Sequence, residues 1–89
     1  MATKRRRRRT TKIKVVEVKL KREHAMGQAW AGEGLVEIDP RQKAKVYCNT
    51  LIHELLHVVF PDLSEHKVRV TAGQFTKALW DAGYRRISK

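Results

Sequence analysis

His53 and His57 stand four residues apart, with Glu54 directly after the first, in the stretch Leu51-Ile52-His53-Glu54-Leu55-Leu56-His57-Val58-Val59. On a helix, residues four apart lie one above the other, so the two imidazoles can aim at a single metal ion. Zinc takes imidazole nitrogen and carboxylate oxygen in a tetrahedral arrangement. Where it is catalytic it has three protein ligands and an open position for water, whose pKa it lowers towards neutrality. Glu54, displaced by about 100° round the helix from His53, is the natural general base for that water. A His-Glu-x-x-His string arises by chance in a chain of this length only about a few times in a thousand on average residue usage. The competing reading is two histidines satisfied by ordinary hydrogen bonds. It would bury two imidazoles and a carboxylate in a small core, which is costly without a metal.

A helix must carry this chemistry, and the sequence predicts one from about Ala44 to Phe60. Ile52, Leu55, Leu56 and Val59 fall at i, i+3, i+4 and i+7, a stripe suited to burial against a sheet, with His53 and His57 flanking it. Asn49 or Thr50 can cap a shorter version, and Pro61 ends it. Ser64 is a good N-cap for a second helix in which Val68, Ala72, Phe75 and Leu79 repeat the apolar spacing, and Gly83 is its natural stop. Before the helices, Ile13 to Leu20 alternates Val16, Val18 and Leu20 and is read as a strand. His24 to Gly34 holds Gly27, Gly32 and Gly34 around Trp30 and is read as a loop or irregular extended chain. Leu35 to Asp39 is a second short strand that Pro40 stops. Tyr84 to Lys89 is a short basic segment, read as extended. The fold class is therefore α+β: two or three short strands, the motif helix packed across them, and a second C-terminal helix.

The chain has 89 residues, room for one domain, and a formal charge of +11. Lys4, Arg5, Arg6, Arg7, Arg8 and Arg9 form an unbroken positive run. Such a run repels itself and has nothing apolar to bury, so residues 1–12 are read as a disordered arm and 13–89 as the domain. The arm suits contact with nucleic acid or another polyanion through counterion release, or serves as a solubilising tail. No apolar run approaches the roughly 20 residues that cross a bilayer, and no apolar stretch follows the basic N-terminus as in a secretory signal. The expectation is a cytoplasmic protein without membrane contact. Cys48 is the single cysteine, so an internal disulfide is excluded, which fits a reducing compartment. It is read as a small buried side chain, and Trp30 and Trp80 as packing residues.

With its His-Glu-x-x-His helix intact, the sequence resembles the zincin metallopeptidases. Over about residues 34–86 it is similar to small metallopeptidases predicted in phage genomes, through Gly34 to Pro40, Thr50 to Phe60 and Pro61-Asp62-Leu63-Ser64-Glu65. The resemblance implies a minimal zincin with one zinc ion, a protein or peptide substrate, and a host-cell cytoplasmic setting. Metzincins continue the motif with glycine and then histidine; Phe60 and Leu63 stand there, which excludes that class. The long-spacer arrangement needs a glutamate well downstream, and none follows Glu65. The candidates for third ligand are thus Glu65 and His66, neighbours at the start of the second helix; adjacent helical residues point about 100° apart, so only one of them ligates. The Ser-Glu pair carried by the phage-type resemblance favours Glu65. It also implies an edge strand that pairs with an extended peptide, for which Leu35 to Asp39 is the candidate, and an oxyanion donor, for which Tyr84 or His24 is available. A rival reading is a basic nucleic-acid-binding or host-interaction protein whose zinc is structural. The two combine if the arm carries a peptidase to nucleic-acid-associated substrates.

Overall fold

The computed structural model describes residues 12–20 and 26–87. The run Lys4 to Arg9 and His24 lie outside them. Strands β1 (Lys14–Glu17), β2 (Gly27–Trp30) and β3 (Leu35–Ile38) precede helices α1 (Ala44–Val59) and α2 (Glu65–Asp81). The protein is a small α+β domain, as the sequence pattern implied. Among the described residues no helix is long and apolar enough to cross a membrane.

The sheet order is β1-β3-β2, with β1 parallel and β2 antiparallel to β3. This corrects two expectations. Leu35 to Asp39 is not an edge strand: β3 is the centre of the sheet, flanked on both sides, and its backbone is already paired. The segment read as a loop or irregular extended chain is regular over Gly27–Trp30, where it forms β2, joined to β3 by a single 3-10 turn, Ala31–Glu33. Gly34 closes that hairpin at φ 61°, where a side chain would be strained, and a Cβ there would lie 2.8 Å from the Lys12 carbonyl oxygen. Glycine meets both demands. Strand β1 is shorter than the Ile13–Leu20 pattern, although Val18 still donates to the Ile38 carbonyl.

In β3, Val36 and Ile38 are fully buried while Leu35 and Glu37 are less so, the period-2 pattern of a strand covered on one face. At its end Asp39 accepts from the backbone N–H groups of Leu20 and Arg41 and from the Arg41 guanidinium, tying the chain after β1 to the approach to α1. Gln42 donates to the carbonyls of Met26 and Asp39 and accepts from the Thr50 hydroxyl. The start of α1 is thereby held to β2 without a side-chain N-cap: Lys43 occupies the cap position, and Asn49 and Thr50 lie inside the helix rather than capping it.

Helix α1 is the middle layer, packed against β2 and β3 on one side and α2 on the other. Leu56 and Ile52 join Val68, Ala72 and Leu63 in one apolar cluster. Two members of the stripe expected against the sheet, Ile52 and Leu56, therefore face α2, and its last member, Val59, is 52% exposed. The sheet side of α1 is formed by Thr50 and Glu54, which lie against Gly27 of β2. On α2, Val68 and Ala72 are buried as the spacing predicted, but Phe75 is half-exposed and Thr76 takes the next buried place. Thr76 is tolerated there because its hydroxyl donates to the Ala72 carbonyl.

Candidate metal centre

Because α1 is sandwiched, its surface divides into sectors. Ile52 and Leu56 point to α2, Glu54 points to β2, and at about 100° per residue His53 and His57 fall on the strip between. Their rings lie 5.0 Å apart at 65° and are about three-quarters covered. Pro61 cannot continue α1, Phe60 N–H closes on the Leu56 carbonyl, and the Ser64 hydroxyl accepts from Lys67 N–H to start α2. With so short a turn α2 runs back beside α1, and its first residue, Glu65, arrives over the histidine strip.

The Glu65 carboxylate spans the two imidazoles: Oε2 lies 3.2 Å from His53 Nε2 and Oε1 lies 3.1 Å from His57 Nε2. One donor atom from each of His53, His57 and Glu65 falls within a 4.8 Å group. Tetrahedral zinc with bonds of about 2.0–2.1 Å places neighbouring donors roughly 3.4 Å apart; the donor types suit such an ion, and the two carboxylate–imidazole separations are near that spacing. His66, the other candidate, is exposed and does not belong to the group. Arg69, one turn along α2, lies 3.9 Å from Glu65 Oε2.

Glu54 is half-buried. Desolvation raises its carboxyl pKa above the ordinary value, an effect the charge of Glu65 reinforces and those of His53 and His57 oppose. Its neighbour across the sheet is Gly27, where an added Cβ would lie 2.9 Å from Thr50 Cγ2 and 3.1 Å from Glu54 Cγ. Sequence reasoning places this glycine in a loop or irregular extended chain and misses its close approach to the motif helix; the available signal is a small residue in a segment preceding that helix. Tyr84 is not brought to the centre. It lines a cleft with Cys48 and Leu51 on the opposite face of α1.

No protein-family model, curated protein or solved structure matches this chain.

Proposed function

We propose that the protein is a zinc-dependent hydrolase of the zincin type, acting on peptide bonds, with His53, His57 and Glu65 as metal ligands and Glu54 as general base. The observation that carries this is the convergence of three ligand-type side chains from two helices beside a half-buried carboxylate. A zinc ion held there would supply Lewis acidity, polarising a scissile carbonyl and acidifying a water. Glu54 accepts a proton from the attacking water and returns it to the leaving nitrogen, a shuttle suited to a carboxyl whose pKa is raised by burial. The Glu65 oxygens lie 3.1 and 3.2 Å from the two Nε2 atoms with which Glu65 would share the ion. The peptide-pairing role passes from β3 to β2, an edge strand whose Gly27 packs on Glu54; an extended substrate added along it would lie beside the base.

The test is elemental analysis of protein purified without chelators, together with a quenched-fluorescence peptide library. The wild type should hold one zinc and cleave. Glu54→Gln should keep the zinc and lose at least about 100-fold of the turnover, the lower range of a general base's contribution. Absence of stoichiometric metal in the wild type would end this reading.

A further inference from the structure

The N-terminal half of α1 and the C-terminus of α2 enclose a cleft of about 170 Å³ lined by Tyr47, Leu51, Trp80, Tyr84, Arg85 and Arg86. It lies away from the metal centre, since Leu51 and His53 are separated by about 200° round α1. Gly83, at φ 94°, ends α2: its N–H bonds to the Trp80 carbonyl and that of Tyr84 to the Leu79 carbonyl, the paired bonds of a Schellman cap. That cap turns Tyr84 and the two arginines back over the cleft. The Arg85 guanidinium carbon lies 3.7 Å from the Trp80 ring centre and that of Arg86 4.0 Å from the Tyr47 ring centre, while Tyr84 is 66% exposed.

Charge here is unevenly neutralised. Glu17 accepts from Arg86, and Asp81 from Lys77. Lys45, with Nζ 6.0 Å from the Trp80 ring centre, makes no salt bridge among the described residues, although its charge reaches Asp81. Nor does Arg85, whose Nη1 donates to the carbonyls of Trp80 and Tyr84. The cleft is too small for a drug-sized ligand, which needs about 300 Å³ or more, but a cavity of about 150 Å³ already holds a benzene ring.

We propose that this cleft binds single-stranded nucleic acid, one base stacking against Tyr84 and its phosphate resting on Arg85 and Lys45. An exposed planar ring beside cations that make no salt bridge supplies the elements of base-stacking, sequence-tolerant strand binding. An acidic peptide would satisfy the cations but offers no planar ring to the aromatic wall.

The experiment uses the full chain and a fluorescein-labelled single strand of about eight nucleotides, within the span one small module covers. Anisotropy gives affinity and salt slope, and Trp80 emission in a Trp30→Phe background reports the cleft alone. The strand should quench Trp80, whereas polyphosphate or a polyglutamate peptide of equal charge should not. Tyr84→Ala, at an exposed position, should weaken binding about ten-fold with the salt slope unchanged, and Arg85→Ala should reduce that slope by about one. Unaltered affinity in both variants, or equal quenching by polyphosphate or polyglutamate, overturns the proposal. Should Trp30→Phe not fold, the anisotropy comparison of the Tyr84 and Arg85 variants decides alone.

Discussion

Glu65 and His66 are adjacent and equally able to ligate zinc, and what separates them is the phase of α2. A helix beginning at residue 65 brings the Glu65 carboxylate within 3.2 Å of both imidazoles and leaves His66 outside that group, although both residues are exposed. Glu65→Ala should therefore lower zinc affinity by at least about a hundred-fold, since losing even an outer-shell partner of a metal ligand costs 10- to 100-fold. His66→Ala should leave affinity within error. Competition against a chromophoric chelator measures both, and equal losses would remove Glu65 from the ligand set. That His53, Glu54 and His57 share one helix was legible from local spacing alone. The preference for Glu65 over His66 was not: it rested on resemblance, because the phase of one helix against another is a long-range property.

Among the elements, the helices were easier to read than the sheet. The Ser64 cap and Pro61 break act within a few residues, so both ends of the α1–α2 turn are written locally. Strand β2 reads from sequence as loop or irregular extended chain because Gly-Gln-Ala-Trp has no β-branched residue, and its glycine serves close approach to α1 rather than a bend. Gly27→Ala follows from that contact. With Thr50 Cγ2 at 2.9 Å and Glu54 Cγ at 3.1 Å from the new methyl, the strand or helix must shift, and destabilisation of about 1–3 kcal/mol is expected from urea midpoints. The join between β1, β3 and α1 gives a pH-dependent prediction. The Arg41 side chain, the Arg41 N–H and the Leu20 N–H hold the Asp39 carboxyl well below the usual carboxylate range. Its folded pKa is thus depressed from an unfolded value of about 3.9. The stability it contributes is fully present above that value and is lost as pH falls towards the folded one. The gap in unfolding midpoint between wild type and Asp39→Asn should be constant from about pH 5 to 8 and shrink below about pH 4. A gap unchanged between those ranges would contradict the clamp.

At the scale of the whole molecule, the buried apolar set is small: Val36, Ile38, Tyr47, Leu56, Val68 and Ala72. A chain of 89 residues with a net charge of +11 has limited surface to bury and self-repulsion to overcome. Among the described residues the α1–α2 cluster centred on Leu56 and the paired strands lie on opposite sides of α1, so that helix divides the apolar core. The three candidate ligands join the two helices at the turn end, where Val59 and Phe60 are half-exposed and apolar packing is thin. An ion that binds the folded state there, and not the unfolded chain, stabilises it by mass action, by about 2.7 kcal/mol at a hundred-fold excess over its Kd. For a domain of this size that corresponds to a rise in Tm of roughly 10–20 °C. Thermal melts in zinc and in chelator should differ by that amount. Glu54→Gln should retain the difference because it removes no ligand, whereas His57→Ala and Glu65→Ala should abolish most of it. If wild type melts at the same temperature in zinc as in chelator, the convergence of His53, His57 and Glu65 is a hydrogen-bonded helix contact and not a metal centre.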